Sequence, residues 1–523
     1  MALLSLGPVV SHVLILVVAM SNICILSYDA GMINNLNAVQ PYFEHFSLDS
    51  DLIGLNVAIV SAGCIFGSPV VGPIVDRWGR KTGLGMGSVC IILGVVLQAS
   101  AGKVAQLIAG RFIIGFATII NGSIAPMWVM ELASPKYRSM LSSSVLVSVP
   151  FTSLGMEGDH AGECPKKRFL QFLTHIKGEA VPSILSLCLL PFVEESPRWL
   201  FYKGRGEEAT NILARLHADG NIEHPMIVAE TQEILGALEH EKKNNGGWKD
   251  LVSPAPNLKR FSIAVLMNIF YQILGGNMIL YFSSFLIAKL GIESRRTVIL
   301  INIGLLLWKA FCSVGGVFLI DRIGARKPLS KSDRSDPSSR LKLTPPSVAG
   351  TSATVALFGM LSGLSYLSDQ RPNETGYAIG AVVVVGLFLL AVSTSWMILA
   401  YTYPPEVLRY SQRAKGVVVA QAIGYAFSFL NLYTAPLALE KIGWKYYAIN
   451  GSWNFGILIV VYWLFVETKG RTLEEIDELF DGMVYTGGVI IGHRAARALE
   501  EEETGDAGSI AKRRLTATLA NKE

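Results

Sequence analysis

Charge is what this chain has least of. Of its 523 residues, 16% are Asp, Glu, Lys or Arg, where soluble domains carry roughly a quarter. The few charges gather between long apolar blocks, so a soluble globular class is excluded. A net charge of +4 is too small to single out nucleic acid as a partner. Six cysteines are scattered without paired ligand spacing, and five of them (Cys24, Cys64, Cys90, Cys188 and Cys312) lie in apolar blocks. Neither a zinc site nor a disulfide frame follows. The sequence has no nucleophile–base set, no metal cluster and no phosphate-cradling loop, so it does not read as an enzyme or as a cofactor protein. A cleavable leader pattern is missing as well: the apolar residues from His12 to Gly31 read as a spanning helix.

What the chain has instead is hydrophobicity in measured lengths. It is 51% hydrophobic with a mean hydropathy of +0.42. Blocks of about 20 apolar residues match a hydrocarbon core of ~30 Å at 1.5 Å per helical residue. Spanning helices are expected near 12–31, 53–73, 85–102, 105–127, 139–156, 180–193, 262–286, 297–320, 350–367, 376–400, 415–436 and 445–466. Twelve crossings leave both termini on one side. Arg77, Arg80, Lys81, Lys136, Arg138, Arg322, Arg326, Lys327, Arg409, Arg413 and Lys415 all follow even-numbered spans, whereas Met32–Asp51 holds neither Lys nor Arg. The positive-inside rule therefore makes both termini cytoplasmic. The lipid bilayer is the one macroscopic partner this reading requires.

The chain is also written twice. Gly72-Pro-Ile-Val-Asp76-Arg77-Trp-Gly-Arg80-Lys81 is echoed by Asp321-Arg322-Ile-Gly324-Ala325-Arg326-Lys327, 245 positions on. Glu131 stands seven residues before Arg138, and Glu406 seven before Arg413. Glu195-Ser196-Pro197-Arg198 closes one half and Glu467-Thr-Lys-Gly-Arg471 the other. The expected organisation is a six-helix bundle over 1–200, a helical linker over 201–260, a second bundle over 261–480 and a disordered cytoplasmic tail over 481–523. In the linker, Ala209, Ile212, Leu213 and Leu216 recur at helical spacing up to Gly220, and Ile227, Ile234, Leu235 and Leu238 suggest another amphipathic helix. Ser196 before Pro197 reads as an N-cap, and Thr472 with Glu475 as a capping box. Two stretches break the rhythm. The sixth span has only about 14 apolar residues, preceded by a polar segment, Glu157–Glu179, on the outer side; Ser330–Pro346 reads as an unstructured insertion.

Taken in order, these motifs resemble those of the sugar porters of the major facilitator superfamily, and among them fungal hexose and lactose-permease-like porters. The resemblance rests on Asp76-Arg-x-Gly-Arg-Lys, Gly110-Arg111, Glu131-x6-Arg138 and Glu195-Ser-Pro-Arg-Trp-Leu in the first half. Gln272-x4-Asn277-x3-Tyr281, Asp321-Arg-x-Gly, Tyr403-Pro-Pro-Glu-Val, Gly443-Trp-Lys-Tyr-Tyr and Glu467-Thr-Lys-Gly-Arg-Thr-Leu-Glu-Glu carry it in the second. It covers residues about 20–480. Its implication is a monomeric plasma-membrane carrier that takes up a hexose or disaccharide by alternating access, through proton symport or facilitated diffusion. Two other classes remain open: a sugar sensor on the same scaffold, and a transport-inactive product of a faulty gene model.

The resemblance assigns roles to particular residues. Gln272 and Asn277 bind sugar hydroxyls with help from Asn431, while Tyr281, Phe282, Trp396 and Tyr401 stack on the ring or close the site; interhelical packing is the bland alternative for the aromatics. Asp29 takes up the proton and Arg111 is its partner, so that protonation loosens the pair; otherwise the two form a permanent structural pair. A carrier must also latch its helix ends. Single exposed ion pairs contribute only ~0–1 kcal/mol, but a network that breaks together can bias two states. Asp76, Arg77, Arg80, Glu131, Arg138, Glu195 and Arg198, with Asp321, Arg322, Glu406 and Arg413, are the expected latch; the bland alternative is that they mark topology. Ala325 stands where the family has Arg. The fifth span lacks the family's Gln, and the Trp-Arg before the sixth is missing. Lys309 lies in mid-span, where an amine should face a watery cavity or find a carboxylate.

Overall fold

A computed structural model describes residues 7–36, 46, 49–133, 141, 144–145, 168–243, 248–253, 255–289, 294–324, 345–371, 375–409, 412–465 and 480. The described secondary structure is helical. The first half holds α1 (Pro8–Leu36), α2 (Ser50–Trp78), α3 (Arg80–Ala99), α4 (Val104–Leu132) and α5 (Arg168–Leu189). Three helices then run between the halves: α6 (Pro197–Tyr202), α7 (Gly206–His217) and α8 (Pro225–Lys243). The second half holds α9 (Ala255–Ile273), α10 (Gly276–Lys289), α11 (Arg295–Gly324), α12 (Pro345–Gln370), α13 (Thr375–Thr394), α14 (Trp396–Val407), α15 (Arg413–Ile442) and α16 (Lys445–Leu464). Among the described residues nine helical segments are long and apolar enough to cross a bilayer. Four of them lie in the first half and five in the second, on either side of the three helices between. The fifth span, 139–156, falls almost wholly outside the described residues, as do Ser330–Thr344 and the capping box at Thr472. The chain forms one compact unit to Gly470; of the second, Arg471–Glu523, only Phe480 is described.

Several boundaries differ from the sequence reading. Pro345 and Pro346 open α12 and do not end a loop, as suits proline in a first helical turn. Arg260 sits in the second turn of α9 and is 1% exposed, so the seventh span starts inside the segment read as linker. Arg111 lies two turns into α4, fully buried. The largest difference is Glu179. It does not sit in an outer polar loop: α5 runs from Arg168 straight through it, and its side chain is 0% exposed. A charge count alone reads such a residue as solvated, because hydropathy does not register a partner buried on another helix.

The linker helices follow the expected faces. Ala209, Ile212, Leu213 and Leu216 of α7 are all buried, and Gly220 takes φ +89°, a left-handed conformation that suits glycine at a helix end. In α8, Ile227 and Leu238 are buried but Leu235 is exposed. Ser196 caps α6, accepting a hydrogen bond from the Trp199 amide at 3.3 Å.

The seventh span is broken at Leu274–Gly275, between α9 and α10. Gly275 has φ +105°, and a Cβ there would come within 2.5 Å of the Phe358 ring. A broken helix inside a membrane leaves carbonyls without partners, which the bilayer cannot satisfy. Side chains supply them here. Asn431 Nδ2 donates to the Gln272 carbonyl at 3.0 Å, Trp453 Nε1 to Ile273 at 3.1 Å and Asn454 Nδ2 to Leu274 at 3.2 Å. The break turns the Gln272–Asn277 segment towards the space between the halves.

The halves touch through α2 and α15 and through α1 and α10. At Gly54 a Cβ would lie 2.4 Å from the Tyr433 carbonyl, so glycine permits this close approach of α2 to α15. Ser61 bonds Ser428 across the same seam at 3.1 Å, and the Ser284 amide donates to Asn34 Oδ1 at 3.0 Å.

Candidate functional site

Between the halves lies a cavity of about 120 Å³. Its walls come from α1, α2, α4, α9 to α11 and α13 to α15. Gln272, Asn277 and Tyr281 line it, together with Tyr271, Gln421 and Tyr425. Asn277 donates its amide to Gln272 Oε1, which fixes the two side chains as a donor–acceptor pair on the wall. Gln421 and Tyr425 sit four apart and share a helical face with Ser428 and Leu432. That spacing is visible in the sequence, and the motif reading passed over it. Ser123 of α4 approaches Gln421 at 3.4 Å, so polar groups of both halves meet here.

The other residues assigned to the sugar are placed differently. Trp396 is fully buried, and its Nε1 donates to Thr351 Oγ1 at 3.1 Å, away from the cavity wall. Phe282 is 1% exposed and sits at a local departure from helical geometry in α10. Asn431 caps the broken seventh span and accepts from the Tyr446 hydroxyl at 3.3 Å. The Tyr401 side chain lies outside the described residues.

The first half contains a buried charge cluster. Arg111 Nη1 is 2.9 Å from Asp29 Oδ1, with both side chains at 0–1% exposure, and Nη2 approaches Oδ2 at 3.2 Å. Arg111 Nε donates to the Asn56 carbonyl at 2.7 Å. The fork geometry of a guanidinium allows this simultaneous engagement. Glu179 is within electrostatic reach of both Asp29 and Arg111, yet neither of its oxygens has a hydrogen-bond partner among the described residues. The cluster thus holds two carboxylates and one guanidinium. Nearby, Asn22 bridges three helices: its amide donates to Ser186 at 2.7 Å, and Ser88 donates to its oxygen at 2.9 Å.

At one end of the first half the latch residues form a connected network. Arg80 pairs with Glu131 at 2.8 Å, and Ser196 donates its hydroxyl to the other Glu131 oxygen. Glu195 accepts from the backbone amides of Arg80 at 3.0 Å, Lys81 at 3.1 Å and Ser196 at 2.8 Å. Burial nevertheless pushes the Glu195 carboxyl above its ordinary value, the amide bonds and Arg80 opposing it. Gly79, at φ +91°, turns the chain so that the Arg80 and Lys81 amides face Glu195. Lys81 reaches the Val193 carbonyl at 2.9 Å, and Trp199 donates to the Asp76 carbonyl at 3.2 Å. Arg77 lies 5.3 Å from the Trp78 ring centroid. Arg198 and Glu406 each have partners of their own. Arg138 and the side chains of Asp321, Arg322 and Arg413 lie outside the described residues.

The sequence profile of a family described as "Sugar (and other) transporter" matches residues 14–480. A high-affinity glucose transporter of Kluyveromyces lactis is 28% identical over 87% of this chain and 82% of its own length. The MFS-type transporter oryC of Aspergillus oryzae is 26% identical over 88% of this chain and 84% of its own. In architecture the chain is similar to the proton:xylose symporter XylE of E. coli bound to 6-bromo-6-deoxy-D-glucose, with a TM-score of 0.73 and 22% identity, over 90% of this chain and 99% of that one.

Proposed function

The chain belongs to the sugar (and other) transporter family, and from that premise we propose that it carries a sugar through the plasma membrane by alternating access, without changing the sugar covalently. The observation that bears most weight is the cavity between the halves, walled by the hydrogen-bonded pair Gln272–Asn277 and by Tyr281, Gln421 and Tyr425. Amides and phenols offer the donors and acceptors that sugar hydroxyls need, and ring faces suit the C–H surface of a pyranose. The name of the Kluyveromyces relative, a glucose transporter, favours a substrate of single-sugar size. Gln272 and Asn277 are the proposed hydroxyl ligands. Trp396 and Asn431 support the wall from behind, one against α12 and the other at the break in the seventh span.

Proton symport is the coupling the buried cluster favours. Asp29, Arg111 and Glu179 give a carboxylate, its counter-ion and a second carboxylate in one dry locus. When Asp29 takes a proton, Arg111 loses its anion and can turn to Glu179. That exchange leaves the guanidinium paired while the spans move, which avoids an isolated buried charge in either state. The Arg80–Glu131–Ser196–Glu195 network would hold the cytoplasmic end of the first half as one piece. Both termini would then lie in the cytoplasm, and one chain would suffice for transport.

Expression in a cell without sugar carriers tests this reading. Of a panel of labelled monosaccharides, neutral and acidic, at least one should accumulate in step with surface protein, faster at acidic external pH. No accumulation with protein at the surface would refute it.

A further inference from the structure

Lys309 is a mid-span cation that the proposed mechanism leaves unused. It lies 14 residues from the start of α11 and 15 from its end, so about 21 Å of helix separates it from either end at 1.5 Å per residue. Its side chain lines the central cavity and a smaller one bounded by Asn34, Asn302 and Leu389, and stands between the two. It is partly exposed to these spaces, though deep in the bundle. Among the described residues no Asp or Glu lines either cavity, and no carboxylate pairs with its ammonium. Ser313 bonds only the Lys309 carbonyl, at 2.8 Å. The fifth span, 139–156, contains no acidic residue that could be its partner.

A mid-membrane ammonium with three donors and no anion among the described residues is costly, the more so once the cavity closes and water leaves. A neutral sugar would not relieve that cost. A sugar carrying its own carboxylate would: the anion meets Lys309, while its hydroxyls meet Gln272, Asn277 and the Gln421–Tyr425 face. We propose that the substrate is an anionic sugar derivative, a uronate or aldonate, held by Lys309 through its carboxylate. This deepens the sugar-carrier reading and rests on it.

The experiment measures equilibrium binding to the purified full-length chain in lipid nanodiscs, with D-galacturonate, D-gluconate and D-glucose as probes. The acids should bind roughly tenfold to hundredfold more tightly than glucose, the range of a hydrogen bond to a charged group. Lys309→Gln should erase most of that difference, while Lys309→Arg keeps part of it. Glucose binding as well as or better than the acids overturns the proposal and leaves a sugar carrier standing. A preference that survives in Lys309→Gln overturns the role of Lys309. Failure of all three probes on the wild-type chain removes the sugar-carrier reading as well. The wild-type comparison needs no variant to fold.

Discussion

Among the described residues, Arg111 and Lys309 are two cations deep in the spans that are treated in opposite ways. Arg111 of the first half has Asp29 at 2.9 Å, the Asn56 carbonyl at 2.7 Å and Glu179 in electrostatic reach. Lys309 of the second half faces two cavities that have no carboxylate on their walls among the described residues. The first charge is complete without any ligand. On the proposal made here, the second takes its counter-charge from what enters the cavity. On the proposed reading this pairing divides the work: the first half holds the proton-sensitive pair, and the second brings a cation to a cavity that both halves wall.

Breaking the paired charge should have the largest effect. Arg111→Leu leaves Asp29 buried without its cation and should lower stability by about 3–5 kcal/mol, read as a large drop in the thermal transition of the detergent-purified protein. The double variant with Asp29→Leu should recover most of that loss. Lys309→Met sharpens the contrast, since removing an unpaired charge should leave the transition unchanged or raise it. Equal losses at Arg111 and Lys309 would dissolve the distinction. Next in size, Asp29→Asn should abolish acid-stimulated uptake while surface expression holds. Asn277→Ala, which also frees Gln272 Oε1, should weaken sugar binding about tenfold by titration, as one lost polar contact does.

The smallest effect belongs to the network at the helix ends. Glu195 titrates above its ordinary value in the folded chain, so it binds its proton more tightly folded than unfolded. Its contribution to stability is full below the ordinary Glu value and is lost as pH rises through the raised one. Glu195→Gln should flatten that part of the pH dependence, measured as thermal transitions from about pH 4 to about pH 7. An unchanged slope would assign the pH response to another group.

Most of the architecture was legible in the sequence because a bilayer imposes a length and a polarity rule on every span. Eleven of the twelve expected spans have a counterpart among the described helices. The duplicated motifs located the Arg80–Glu131–Glu195 network, since backbone amides and carboxylates at fixed offsets are what such a cluster needs. Glu179 was hidden by the same polarity rule: it reads as loop until Asp29 and Arg111 from two other helices are placed beside it. Arg260 was misread for a similar reason. Asn431 and Trp396 show a different limit. A motif identifies residues near a site, but only three-dimensional placement reveals that one caps a broken helix and the other bonds Thr351. Gln421 and Tyr425 could have been found from their shared helical face.

The claim on which the account turns is that solute passes through the cavity between the halves. Purified chain in proteoliposomes, loaded inside with unlabelled D-glucose or D-galacturonate and offered the labelled compound outside, measures this directly as counterflow. A transient internal excess of label, reduced in Asn277→Ala, is the predicted result. Label that never exceeds the level in protein-free liposomes would contradict it.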